Sequence, residues 1–259
     1  MRRALLGLYT YAEFFLSAVL FLFPMSWATL FSKADPGQRI RGRWMRRFGR
    51  FTNRLSPLWS FSVEGAPPAD VAHAGYVVIS NHQSTSDPFL LSWLPFDMRF
   101  VAKESLFKLP LIGWLMKLSG DIPLRRGDKQ SVVEMREACL ATLRSGMSVM
   151  LFPEGTRSPD GNLLPFKDGA FQLAIEAQAP LLPVALNGTR ACRPKGSLWF
   201  GWAKASVRIL EPIPTKGLTL EQLPELKERA REAITQALHE AVGPREGTLP
   251  LGEPSRSPS

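Results

Sequence analysis

Short apolar runs alternate with amphipathic helical stretches from Val63 onward, and that alternation narrows the fold of this 259-residue chain more than any other feature. The runs at 76–80, 100–102, 149–152, 181–186 and 205–209 have the length of strands. Helices are predicted over 88–94, 111–118, 129–145, 169–176 and 220–242, with Gly146 as a stop signal after the third. Such a succession predicts an α/β fold, a mixed, mostly parallel sheet flanked by helices. Its span, 61–242, is one domain's worth of chain. Residues 243–259 are rich in Gly, Pro and Ser and read as a disordered tail.

The net charge of +9 sits almost wholly at one end. Residues 1–54 hold ten Lys/Arg against Glu13 and Asp35, which leaves the remainder near neutral. A nucleic-acid-binding body would carry its own basic face, so nucleic acid is not an expected partner. Cys139 and Cys192 give neither a disulfide framework nor a metal-ligand spacing, and they suit a reducing compartment. No metal or cofactor is expected.

Residues 4–23 are mostly Ala, Leu, Phe and Val, interrupted by Glu13 and followed by Pro24, which is expected to break the helix. A helix of that length reaches ~30 Å, one hydrocarbon thickness. Glu13 is costly in a simple span, so a half-submerged helix stands beside a spanning one. A cleavable signal peptide is a third reading, from Arg2-Arg3 and Ser26-Trp27-Ala28, although the apolar run exceeds the usual ~7–15 residues. Over 38–59, Ile40, Trp44, Phe48, Phe51, Leu55 and Leu58 form one helical stripe, with seven arginines on the rest of the surface. Beside the apolar run this predicts an in-plane membrane helix with arginines on anionic headgroups rather than a helix packed on the domain. Residues 1–60 would form a membrane-associating hairpin turning around 32–37.

Two polar segments follow strand-like runs. The first is Asn81-His82-Gln83-Ser84-Thr85-Ser86-Asp87. On a continuous helix His82 and Asp87 would point ~140° apart, so a strand–loop–helix unit suits them better. Asp87-Pro88 reads as an N-cap followed by proline at the first helical position. The carboxylate can then fix one ring nitrogen and leave the other as a base. The chain has no Gly-x-Ser-x-Gly elbow, so the substrate must bring its own nucleophile; a hydroxyl attacking a thioester needs no acyl-enzyme. The second segment is Pro153-Glu154-Gly155-Thr156-Arg157-Ser158. Gly155 allows a sharp turn, Arg157 offers a fork of donors to a phosphate, Thr156 adds a donor, and Glu154 can orient the arginine or accept from a substrate hydroxyl.

Together these segments resemble the glycerolipid acyltransferase family, and within it the bacterial 1-acyl-glycerol-3-phosphate acyltransferases. Two further blocks match in the family's order: Lys103 to Gly113 with Asp121-Ile122-Pro123-Leu124-Arg125-Arg126, and Leu182-Pro183-Val184. The resemblance covers about 63–212. It implies that His82 is the base and Asp87 its orienter, that Glu154 and Arg157 hold the glycerol phosphate, and that Gly155 and Thr156 shape the turn. Lys103 and Arg125, or its neighbour Arg126, would add positive charge near the phosphate. The implied donor is acyl-CoA or acyl-carrier protein, and the implied acceptor is lysophosphatidic acid or another lysolipid. An N-terminal two-helix element on an anionic membrane, at the cytoplasmic face of the inner membrane, is part of the same expectation. A non-catalytic membrane-binding module is the competing reading, and it leaves both polar segments unexplained.

Overall fold

A computed structural model describes residues 2–31 and 39–242. The expected turn at 32–37 and the tail at 243–259 lie outside the described residues. Strand β2 (Val77–Ser80) and strand β5 (Ser148–Leu151) are buried at every position, and β6 (Leu181–Asn187) at all but the last. Continuous burial is what a parallel sheet covered on both faces demands of its central strands. Strand β3 (Met98–Lys103) pairs with β5, and the short β4 (Ile122–Leu124) closes that edge. At the other edge lie β7 (Ala203–Ile209), antiparallel to β6, and β1 (Trp59–Glu64), parallel to β7. The order is β1-β7-β6-β2-β5-β3-β4, and β2 to β6 all run the same way. The mixed, mostly parallel sheet is therefore as expected.

All five expected strands and the helices of the domain are present within a few residues. The two edge strands were not expected. β1 carries only alternating half-burial and directly follows a helical stripe. β4 is three residues long with Pro123 inside, a form confined to edges.

Alternate residues of the strands face two apolar layers. Val77, Ile79, Val149 and Leu181 pack under helices α5 (Lys129–Arg144), α6 (Gly169–Ala177) and α8 (Leu223–Val242). Asp128 caps α5 by accepting from Ser131 N, and Gly146 (φ +75°) follows its end in the left-handed conformation. On the opposite face Val78, Met150, Leu182 and Val207 pack against Leu90 and Leu91 of α3 (Asp87–Leu91). Beyond α3 lies a further layer, in which α1 (Arg2–Phe31), α2 (Arg39–Leu55) and α4 (Ile112–Ser119) enclose Ala18, Phe21, Met25, Phe48 and Leu115.

Two features of this layer correct the sequence reading. Pro24 lies inside α1, which runs on to Phe31. The helix loses one backbone bond there, but its buried stripe continues through Met25 and Ala28, and packing holds the last turns in register. Five of the seven α2 arginines hydrogen-bond to the domain. Arg39 donates to Gly146 O (2.6 Å), Arg41 to Leu118 O (2.5 Å), and Arg50 to Ser92 O (2.7 Å) and Leu94 O (3.1 Å). These carbonyls sit at or just past the C-terminal ends of α5, α4 and α3, where backbone acceptors lack intrahelical partners and favour a cation. Arg43 and the largely buried Arg46 converge on Asp97. The helix packed on the domain is thus the arrangement found for these arginines.

Asp97→Ala would strand the Arg46 guanidinium in a buried site. Removing one partner of such a pair costs about 3–5 kcal/mol, so Tm should fall by roughly 6–15 °C at this chain size. Differential scanning calorimetry in mild detergent checks this; a fall under about 2 °C would show that Asp97 does not anchor α2.

Candidate active site

The site lies where β2 ends. Asn81 extends the sheet by one rung through its side chain: Nδ2 donates to Leu186 O (2.9 Å) and Leu186 N donates to Oδ1 (2.8 Å). The backbone then leaves the sheet, and His82 projects over its carboxyl edge. Asp87 is fully buried at the start of α3. Its Oδ2 meets His82 Nδ1 at 2.7 Å and accepts from Gln83 N (2.8 Å) and Ser84 N (3.0 Å). The expected forward cap is therefore absent: Ser86 occupies the N-cap, and the Asp87 carboxylate turns back to satisfy loop amides that would otherwise be orphaned. Pro88 sits in the first turn as expected. Asp87 Oδ1 has no hydrogen-bond partner among the described residues. The imidazole stacks on Phe152 at 4.0 Å between centroids. An ionised carboxylate only accepts, so Nδ1 carries the proton and Nε2 keeps its lone pair.

The second polar segment follows β5, the neighbour of β2. Glu154 is 3% exposed; Oε1 accepts from His82 N (2.7 Å) and Oε2 from Leu164 N (3.1 Å). Ser158 N donates to His82 O (2.8 Å), so one residue is gripped at both its amide and its carbonyl. The acceptor-binding role that the resemblance assigns to Glu154 meets a different geometry, because backbone amides take both of its oxygens. Burial pushes its pKa up to about 7, opposed by those two amide bonds and assisted by Asp87. Gly155 turns with φ +67°, and an added Cβ would meet Lys167 Nζ at 2.9 Å. Thr156 is exposed. Arg157 is half-buried beside Ser158, and its guanidinium has no ion pair or hydrogen bond among the described residues.

Lys103 ends β3 and Arg125 follows β4, so both lie on the carboxyl edge that bears His82. At ~4.8 Å per strand they start about two and three strands from β2. Lys103 is exposed, whereas Arg125 is tied to Glu104 (2.8 Å) and Asp128 (2.7 Å). The fold thus brings His82, Asp87, Glu154 and the Arg157 turn together, places Lys103 on their flank, and occupies Arg125 elsewhere. Three contributors were not legible. Phe152 ends a predicted strand and opens the block that carries the resemblance, and neither gives its ring a role. Lys167 looks like any solvated lysine until Gly155 is seen beneath it. The 193–197 segment reaches the site through Ser84 Oγ donating to Arg193 O (3.0 Å) and Lys195 Nζ donating to Arg157 O (3.1 Å).

Residues 62–187, the segment that holds all of these groups but the last, match the family described as Acyltransferase. A chloroplastic 1-acyl-sn-glycerol-3-phosphate acyltransferase of Brassica napus is 37% identical over 161 residues, 60% of this chain and 47% of that protein. A 1-acyl-sn-glycerol-3-phosphate acyltransferase of Chlamydomonas reinhardtii is 33% identical over 230 residues, 87% of this chain and 67% of that protein. The chain belongs to the acyltransferase family. Its fold agrees with the crystal structure of the 1-acyl-sn-glycerophosphate (LPA) acyltransferase of Thermotoga maritima, with a TM-score of 0.75 and 29% identity over 93% of this chain and 96% of that one. This acyltransferase-family chain spans about half the length of the Brassica and Arabidopsis relatives it matches.

The carboxylate clamp has a pH signature. The folded chain holds Glu154 protonated up to about pH 7, whereas the unfolded chain releases that proton near the ordinary value of 4.5. The stabilisation linked to this group is therefore full below about pH 4.5 and is lost as pH rises through about 7. Glu154→Gln cannot titrate, so wild-type Tm should fall relative to the variant between pH 5 and pH 8. At pH 8 the same variant should lose roughly tenfold or more in turnover, because its amide NH2 faces a backbone N–H and loosens the His82 loop. A Tm difference that stays constant across that range would contradict the assignment.

Proposed function

We propose that this chain transfers a fatty acyl group from a thioester donor, acyl-CoA or acyl-carrier protein, to the sn-2 hydroxyl of 1-acyl-glycerol-3-phosphate, forming phosphatidic acid. The observation that carries this reading is the 2.7 Å pair of His82 Nδ1 and Asp87 Oδ2 beside a turn bearing an uncommitted arginine. Relatives named for the same reaction support it.

His82 Nε2 takes the proton of the acceptor hydroxyl as that oxygen attacks the thioester carbonyl. The tetrahedral intermediate collapses with loss of thiolate, which takes the proton back from the imidazolium. Buried Asp87 stabilises the imidazolium and holds the tautomer, and Phe152 limits rotation of the ring. Arg157 binds the acceptor phosphate through its planar fork, with Lys103 adding charge from the β3 side. Arg125 is ion-paired with Glu104 and Asp128 on the same edge, and Glu154 positions the loops. The product remains in a bilayer. α1 supports a membrane location, since Leu5–Leu30 is long and apolar enough to cross a membrane and its exposed side is apolar. A cytoplasmic face of the inner membrane suits two buried free cysteines.

Thiol release from acyl-CoA with lysophosphatidate tests the base. His82→Ala should slow it by about 10²–10⁴-fold, and release that survives the substitution would defeat the assignment. Arg157→Ala should raise KM for lysophosphatidate by about tenfold or more, equivalent to ~1.4 kcal/mol. It should also narrow the preference over phosphate-free lysolipids, and a preference as sharp as that of wild type would remove Arg157 from phosphate recognition.

A further inference from the structure

Between α7 (Thr189–Cys192) and β7 the chain displays Leu198, Trp199 and Trp202 at 69%, 55% and 68% exposure. Three large apolar side chains within five residues are a patch of the kind that marks an interaction site. The segment is built to present them. Gly201 N donates to Cys192 O (2.9 Å), Arg193 Nε donates to Ser197 O (3.0 Å), and the Ser197 hydroxyl bonds both the N–H and the carbonyl of Trp199.

The loop is joined to α1. The Tyr11 hydroxyl donates to Leu198 O (2.7 Å), and the Tyr11 ring meets Phe200 edge-on at 5.1 Å. The Trp199 ring lies over Gly7 so closely that a Cβ there would meet it at 2.8 Å. α1 is buried on the body from Thr10 to Ala28, which leaves Leu8, Leu16, Leu20 and Phe23 facing outward along the same length. The loop tips therefore continue an apolar surface that α1 begins. Glu13, the one charged residue between Leu5 and Leu30, is half-buried and bonded to Ser17. At its other end the loop reaches the site through the Ser84 and Lys195 bonds described above.

We propose that Leu198, Trp199 and Trp202 are a second lipid-docking element, entering the bilayer interface together with α1 and bringing the mouth of the His82–Arg157 site to the lipid surface. This rests on the membrane reading of α1. The occupant is lipid because the loop tips continue the apolar outer side of α1, which between Leu5 and Leu30 carries no charge but the half-buried Glu13. Indoles in the same segment as the exposed Lys195 and Arg190 match the boundary between acyl chains and anionic headgroups. Held against the body from Thr10 to Ala28, α1 would enter that boundary side-on, as an interfacial helix does.

Single-cysteine variants of the full chain test this, since Cys139 and Cys192 are buried. Leu198→Cys, Leu16→Cys and Glu232→Cys, the last on α8 across the sheet, are each labelled with an environment-sensitive fluorophore. They are then mixed with phosphatidylethanolamine/phosphatidylglycerol vesicles carrying a lipid-borne quencher. Quenching at 198 and 16 but not at 232 is expected. Quenching at 16 alone overturns loop docking while the reading of α1 stands; quenching at neither overturns both. A lipid-independent spectral shift at 198 that grows with protein concentration assigns the patch to a second copy and overturns the proposal. In parallel, Leu198→Ser/Trp202→Ser should raise KM about tenfold for acceptor embedded in vesicles and leave turnover on a monomeric short-chain acceptor unchanged. Equal loss on both acceptors would mark a structural role and sink the idea.

Discussion

A buried carboxylate turns two strand ends into one site. β2 and β5 are neighbours, and without Glu154 the amides of His82 and Leu164 would face a closed interior with nothing to accept from them. Desolvation works against that carboxylate, as its raised pKa records, so the grip on the His82 backbone is held under electrostatic tension. Asp87 repeats the device one turn further on, with three donors on one oxygen and none among the described residues on the other. The orientation of the imidazole is thus set by buried acceptors that solvent does not loosen.

The sheet supplies the remaining logic. Because β2 to β6 are parallel, their carboxyl ends share one edge, and side chains separated by seventy residues meet there through topology alone. The same arrangement leaves Lys103 exposed at the end of β3 on that edge while Arg125, one strand further out, closes on Glu104 and Asp128.

Much of this was legible in the residues. The apolar runs at 149–152 and 181–186 announced buried strands because both their faces are covered. His82 and Asp87 could not meet on one regular helix and suited a strand–loop–helix unit, which is where they are found. What escaped had no local signature. β4 is too short to show a period, and β1 hides behind the stripe of α2. Pro24 signals a break by local steric rules, and only tertiary packing of Met25 and Ala28 overrules it. Glu154 and Arg157 look alike as polar loop residues, and nothing in their spacing tells which faces inward. The α2 arginines were the least legible, since an arginine-rich amphipathic helix reads the same whether its guanidinium groups meet headgroups or carbonyls.

Those guanidinium groups bear on how the N-terminal hairpin relates to the rest. Arg39, Arg41 and Arg50 reach past the ends of three different helices, and Arg43 and Arg46 share one aspartate. The hairpin is keyed to its own domain by a set of matched locks. A chimera that grafts residues 1–58 onto a related body would mate only where the recipient presents the same carbonyls at the same helix ends, so this pair of helices is not an interchangeable anchor.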